Sequence, residues 1–228
     1  MATTRTEQLP EVFLRQLGLV APEKLAALEV TLIGAGGIGS AVAVALAKMG
    51  IDKITVFDYD TVSEHNLSNQ WFRVGDVGRP KVEALREIVR EYSGVEITAR
   101  AEKYEAQPLR GIVIAAVDKI STREMIWKRA EYNPLVDLFI DGRMGGEQYY
   151  VYAVRPCDPD DIKWYKDRLF PEEQAAELPC SERSIIYTLL GMAKDIAFIV
   201  KSFAKANVRP RQIVCDVPTG VFTMTPLT

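Results

Sequence analysis

The feature that most constrains this chain is a run of six residues, Gly34-Ala35-Gly36-Gly37-Ile38-Gly39, set between a short β-branched run and a longer apolar one. The pattern G-x-G-x-x-G carries meaning only between a strand and a helix, and here Val30–Ile33 reads as the strand and Gly39–Met49 as the helix. Glycine lets the backbone turn tightly and come close to a phosphate, whose charge the helix N-terminus then stabilises. Gly34, Gly36, Gly37 and Gly39 are therefore candidate nucleotide-binding residues. Asp58 closes the next β-branched run, Ile54–Phe57, at about 20 residues past the loop, where a carboxylate can bind ribose hydroxyls.

The rest of the chain continues the alternation. Lys81–Tyr92 predicts a charged amphipathic helix, and Val95–Ala99 a short strand. Ile112–Val117 predicts a strand buried on both faces, and Thr122–Ala130 a helix. Leu138–Ile140 leads into a glycine-rich turn over Asp141–Gly146, followed by an alternating strand at Gln148–Val154. Arg155–Pro179 reads as a long crossover loop, Ser184–Ala206 as a core-facing helix, and the end of the chain as a strand pair joined at Pro218-Thr219-Gly220. This order specifies an α/β fold: a Rossmann-like, mostly parallel sheet with helices on both faces and antiparallel C-terminal strands. One domain over residues 1–228 is expected. Residues 1–147 would form its nucleotide-binding half, and 148–228 the crossover loop, helix and strands that supply a substrate groove and dimer contacts.

The loop does not name a reaction, because dehydrogenases share it. Hydride transfer to a carbonyl needs a proton donor, yet the single histidine, His65, lies in a polar turn, and no tyrosine has a lysine four residues later. G-x-x-x-x-G-K-[ST] does not occur, which excludes a phosphate-loop ATPase. The balance of 28 Lys and Arg against 31 Asp and Glu gives a net charge of −3, a poor match for nucleic acid. The longest apolar stretch, Ile185–Val200, is interrupted by Lys194 and Asp195, so no membrane span is expected. The three cysteines, Cys157, Cys180 and Cys215, are widely spaced and form no C-x-x-C pair. They argue for a reducing compartment, with the cytoplasm as the expected location, and against a zinc site.

The informative chemistry follows the second strand. Asp58, Asp60, Asn66, Asn69, Gln70 and Lys81 fall in one loop and at the start of the next helix, and Asp118 ends the buried apolar run. Strand C-terminal ends line the ligand crevice of such sheets. One lysine among amides and acids suits a triphosphate with its metal: amides bind sugar and phosphate oxygens, Lys81 neutralises phosphate charge, and Asp118 holds Mg2+ among the phosphates.

Five segments in order, LRQ (14–16), IGAGGIGS (33–40), FDYDTVSEHNLSNQ (57–70), DVGRPK (76–81) and VDKISTR (117–123), resemble the ThiF/MoeB/HesA family of E1-like adenylyltransferases, in a short form without zinc cysteines. The resemblance implies ATP and Mg2+ as cofactors and no zinc. It implies adenylation of the C-terminal carboxylate of a small ubiquitin-like or sulfur-carrier protein, with an E2-like protein or sulfurtransferase as a further partner. Gly36 would approach the ATP phosphates, Asp58 would take the ribose, and Asn66, Asn69 and Gln70 would line the phosphates. Lys81 would bind phosphate and Asp118 magnesium, while Arg15 would reach into the neighbouring site of a homodimer. Asn69 stands where most members carry Arg, and the expectation is that Arg73 or Arg79 supplies the missing charge from nearby or, alternatively, that adenylation is slow.

Such a site needs no proton carrier, because a terminal carboxylate is already ionised at neutral pH. Attack on the α-phosphate requires alignment and positive charge where negative charge accumulates. Cys180, in PCSERSIIYT just before a helix, is a candidate nucleophile for a later thioester. Two alternatives stand beside this reading: adenylation of a peptide or tRNA-borne carboxylate, and a non-catalytic nucleotide-binding subunit that docks a partner. Asp158–Asp161 reads as solvated loop charge, and Cys215 as a core residue.

Overall fold

The computed structural model describes residues 11–169 and 184–228. Eight strands form one sheet in the order β3-β2-β1-β4-β5-β6-β7-β8. β1 (Glu29–Ile33), β2 (Lys53–Phe57), β3 (Thr98–Arg100), β4 (Gly111–Ala115) and the first half of β5 (Val136–Gly145) run parallel. β6 (Gln148–Val154), β7 (Gln212–Asp216) and β8 (Val221–Met224) extend the sheet antiparallel from β5. The expected mixed sheet is therefore present.

Alternation along the strands divides the interior in two. Val30, Leu32, Ile54, Val56, Ile112, Ile114, Leu138 and Ile140 face one side, with Tyr149 and Val151 beyond them. That side is covered by α1 (Pro22–Ala26), α2 (Gly37–Met49), α3 (Lys81–Ser93) and α6 (Ile186–Ala206). Ile33, Phe57, Val113, Ala115, Phe139, Tyr152 and Val154 face the other side, under α4 (Ile120–Ala130) and α5 (Pro159–Lys166). Strands buried on both faces explain the continuous apolar run at 112–115.

Three expectations need correction. The glycine-rich turn at 141–146 is mostly strand: Asp141, Gly142, Arg143, Met144 and Gly145 pair with Tyr152, Val151, Tyr150, Tyr149 and Gln148. The crossover contains a helix, α5, whose N-cap Asp158 accepts bonds from the amides of Asp160 (2.9 Å) and Asp161 (3.2 Å), with proline at the first helical position. Asp161 is not solvated. It is fully buried, accepts from the Arg155 amide at 2.7 Å and from Arg211 Nε at 2.6 Å, and also pairs with Arg209. The second half of the chain shares the core of the first, because Met192, Ile196, Ile199 and Val200 of α6 are buried in one cluster with residues of β1, α2 and β4.

Candidate functional site

β1 leads through β2 to β3 in one direction, while β4 and β5 lie on its other side, so the strand order reverses between β1 and β4. A crevice opens at the carboxyl ends of the strands at such a point. The glycine loop sits there. The Gly34 amide donates to Phe57 O at 2.8 Å, and the Ala116 amide to Ile33 O at 2.8 Å, locking the loop between its two neighbouring strands. Gly34 has φ +101°, and a Cβ there would stand 2.4 Å from Ala116 O. A Cβ on Gly39 would stand 1.9 Å from Gly34 O. These two glycines are demanded by packing, whereas a Cβ on Gly36 would meet nothing within 4 Å.

Gly36 is the N-cap of α2, and no side chain caps it. No side chain therefore satisfies the first amides of that helix, and the space beside Gly36 is open, as a phosphate site requires. Asp58 braces the loop from the β2 end: Oδ2 accepts from the Ala35 amide at 2.7 Å and Oδ1 from the Asp60 amide at 2.8 Å. Each oxygen keeps a lone pair, so a sugar hydroxyl can still donate to this carboxylate. Lys81, at the start of α3, has a side chain only 9% exposed, and its Nζ lies 3.0 Å from Asp60 Oδ2. Its amide also donates to Asp60 O at 2.9 Å. Asp60 is thus the residue that aims Lys81.

The 63–71 segment lies along the first turn of α2. Asn66 is buried, and its Oδ1 caps the local turn by accepting from the Ser63 amide and hydroxyl, each at 2.9 Å, which leaves Nδ2 for a ligand. The Trp71 amide donates to Ser40 Oγ at 3.0 Å. Asn69 Nδ2 donates to Ser184 Oγ at 2.6 Å, while Asn69 Oδ1 and Gln70 Oε1 are buried with no partner among the described residues. His65 is exposed beside Ser63, consistent with a turn residue.

Arg73 and Arg79 do not fill in for the missing arginine. Arg73 binds Asp76 (Nε–Oδ2 2.9 Å), Glu87 and Glu91, and Arg79 binds Asp76 at 2.9 Å and Glu87 at 2.5 Å. Burial pushes the Asp76 carboxyl up, but its bonds to Arg73 and Arg79 more than offset this and hold it below the usual carboxylate range. The two guanidiniums are structural.

Asp118 follows β4 and is exposed at the crevice. Behind it lies a network that the sequence did not reveal. Fully buried Asp141 on β5 pairs with Arg123 of α4, with Arg143 Nε at 2.7 Å, and with the Tyr165 hydroxyl at 2.8 Å. Arg123 also donates to Val117 O and, at 3.1 Å, to Gly142 O, fixing the backbone directly before Asp118. Burial pulls the Arg123 guanidinium down to about 10, well above neutrality, so it stays charged. Arg143 also reaches Arg168 O at 2.8 Å and lies 4.8 Å from the centre of the Tyr152 ring.

Among the described residues no three His, Cys, Asp or Glu side chains cluster as a metal cage. Magnesium shared with phosphates keeps several waters and needs only one or two carboxylates, which Asp118 can provide. Arg15 is not part of this site within one chain. Its 3-10 turn, Leu14–Gln16, is tied to the far end of α2, where Gln16 Nε2 donates to Met49 O at 2.7 Å and Phe13 covers Gly50. A helix of 13 residues spans about 20 Å, which puts the glycine loop beyond the reach of Arg15. Cys180 lies outside the described residues. Cys157 is exposed, and Cys215 is half-buried against the core, as expected for that strand.

Comparison with known proteins adds three findings. Residues 10–206 match the model of the ThiF family. The chain is 28% identical over 209 residues to the NEDD8-activating enzyme E1 catalytic subunit of Arabidopsis thaliana, covering 77% of this chain and 46% of that one. It is 30% identical over 194 residues to the molybdopterin-synthase adenylyltransferase of Salmonella typhimurium, covering 80% and 74%. The chain thus spans about half the length of the plant relative and three quarters of the bacterial one. The crystal structure of PaaA shares the fold, with a TM-score of 0.76 and 18% identity over 98% of this chain and 84% of that one.

Proposed function

The chain belongs to the ThiF family, and from that premise we propose that it is an ATP-dependent adenylyltransferase acting on the C-terminal carboxylate of a small ubiquitin-like or sulfur-carrier protein. Relatives named for NEDD8 activation and for molybdopterin-synthase adenylylation support that class of substrate. The chemistry is supported by what gathers at the carboxyl ends of the parallel strands: an α2 N-terminus with no side-chain cap, a buried lysine held by Asp60, Asp118 directly after β4, and a sole histidine exposed in a turn. This arrangement concentrates positive potential and offers no proton shuttle.

The proposed reaction asks for nothing else. A carboxylate oxygen attacks the α-phosphorus of ATP, the bond to the bridging oxygen breaks, and pyrophosphate leaves with the electron pair. No proton moves. The α2 amides and Lys81 hold the phosphates and stabilise the charge that builds on them, Asp58 orients the ribose, and Asn66 contributes its remaining Nδ2. Magnesium at Asp118 would neutralise the departing phosphates. Arg123 and Asp141 keep the Asp118 backbone in place.

The site is completed by a second copy. Arg15 sits at the far end of α2 from its own glycine loop, so in this proposal it acts in the partner's site of a homodimer. In the second half of the proposal the Cys180 thiolate attacks the acyl carbon of the adenylate and displaces AMP, and the thioester then exchanges onto the thiol of an E2-like protein or a sulfurtransferase. A thiol-sensitive adduct that disappears in Cys180→Ala supports that step, and an adduct that persists removes Cys180. Three widely spaced cysteines with no C-x-x-C pair support the cytoplasm as the place of this activity.

The test is ATP–pyrophosphate exchange in the presence of a protein ending in Gly-Gly. Exchange that requires that protein and magnesium is expected. Measurable ATP binding without exchange, whatever carboxylate is offered, would assign the chain to partner docking instead.

A further inference from the structure

Asn69 occupies a place where the family resemblance leads one to expect an arginine on the phosphates, yet its contacts run elsewhere. Its backbone carbonyl lies 3.1 Å from where a Cβ on Gly37 would sit, so position 69 rests on the first turn of α2. Its Nδ2 reaches Ser184 at 2.6 Å, across 115 positions of sequence. Ser184 in turn forms a parallel bridge with Gly146, at the tip of the β5–β6 hairpin. Leu189 of α6 covers Gly37 from the same side, with its methyls 2.8 and 2.9 Å from the same Cβ position. One short side chain thus joins the nucleotide loop, the hairpin tip and the start of α6.

The unused oxygen of this amide identifies what it faces. Asn69 Oδ1 is buried and has no donor among the described residues, and a buried acceptor without a partner is costly. A phosphate cannot donate to it, and a magnesium ion, which could take an amide oxygen directly, is held by Asp118 in this reading. An extended peptide ending in a carboxylate can donate to it, through its last backbone amides. We propose that Asn69 determines acceptor binding rather than nucleotide binding: Nδ2 pins Ser184, and Oδ1 accepts from a backbone N–H of the carboxylate-bearing tail. This inference rests on the adenylation reading for its substrate, but the Ser184 pin stands independently of it.

Two measurements test it. Hydrogen exchange on the full chain reads the pin: in Asn69→Ala and in Ser184→Ala the amides of residues 185–190 should exchange about tenfold faster, as expected for loss of one hydrogen bond to a buried group. In the same variants, titration with MgATP alone should give a Kd within about twofold of the parent. Unchanged protection overturns the pin, and a tenfold loss of ATP affinity makes Asn69 a phosphate ligand, overturning the assignment. Pyrophosphate exchange reads the tail: with a Gly-Gly-ended ubiquitin-like protein, Asn69→Ala should raise its KM about tenfold while kcat changes less. N-methylation of the terminal peptide bond of that protein should cost the parent the same factor and cost Asn69→Ala nothing further. Equal sensitivity of both enzymes to N-methylation overturns the contact. If the parent catalyses no exchange at all, the adenylation reading fails and the contact with the tail fails with it, while the hydrogen-exchange arm still judges the pin.

Discussion

Replacing Lys81 with methionine separates catalytic charge from structural packing. Methionine fills the same unbranched space, so α3 keeps its buried first turn and loses only the charge. Two positive and negative unit charges about 4 Å apart interact by about 4 kcal/mol at an effective dielectric near 20, which sets the upper scale of what Lys81 contributes to a bound phosphate. Removing one pre-aimed donor from such sites costs about 100- to 1,000-fold in kcat. The Asp60 partner is half exposed, at 51%, so the ion pair itself contributes no more than about 1 kcal/mol to folding. In a chain of this size that is a shift of about 2–4 °C in Tm. The assay pairs ATP–pyrophosphate exchange with thermal unfolding of the same preparation: Lys81→Met should lose at least 100-fold in exchange while its Tm stays within about 4 °C. Exchange within a few-fold of the parent would refute the phosphate role, and a large fall in Tm would show that Lys81 is placed for stability.

The glycine loop gives a contrast within four residues. Gly36→Ala, whose Cβ meets open space, should keep its Tm yet weaken ATP binding, whereas Gly39→Ala, 1.9 Å from Gly34 O, should lower the Tm itself; titration and calorimetry read the two. Asp141→Asn leaves two guanidiniums, of Arg123 and Arg143, without their carboxylate and should cost about 3–5 kcal/mol, seen as a Tm lower by about 6–20 °C. Asp76 is held below its ordinary value by Arg73 and Arg79, so its contribution is present above roughly pH 4 and is lost as pH falls through and below that value. Asp76→Asn should therefore be less stable at neutral pH and show a flatter acid limb in urea titrations between about pH 5 and 2. Arg15→Ala should be inactive alone but regain activity when mixed and refolded with Lys81→Met, because one site of each mixed dimer is intact; no recovery would place Arg15 outside the partner's site.

The nucleotide half was legible because its signals are local. The glycine loop, the strand before it and Asp58 at the end of β2 all follow from spacing and turn chemistry. The carboxyl ends of parallel strands then say where the crevice must be. The α5 helix was missed although Asp158-Pro159 is a good start signal, an N-cap followed by proline at the first position. The dense charges around it read as loop. The glycines at 142 and 145 hid the continuation of β5, which is held as strand by pairing with β6 rather than by its own propensity. The Asp141 network and the Asn69–Ser184 bond were out of reach because their partners are distant in sequence: Arg123 and Tyr165 come from two different helices, and Ser184 lies 115 positions after Asn69. An arginine at 123, within the apolar face of α4, was the one visible sign that a buried carboxylate had to be near.

The most direct test of the account is a crystal structure with magnesium and a non-hydrolysable ATP analogue. The triphosphate should lie on the amides of residues 36–38 with Lys81 Nζ on its oxygens, the metal on Asp118, and the α-phosphate turned toward Asn69 and the β5–β6 hairpin. A triphosphate bound away from Lys81 and Asp118, or a crevice that takes a nicotinamide dinucleotide in preference to ATP, would contradict it.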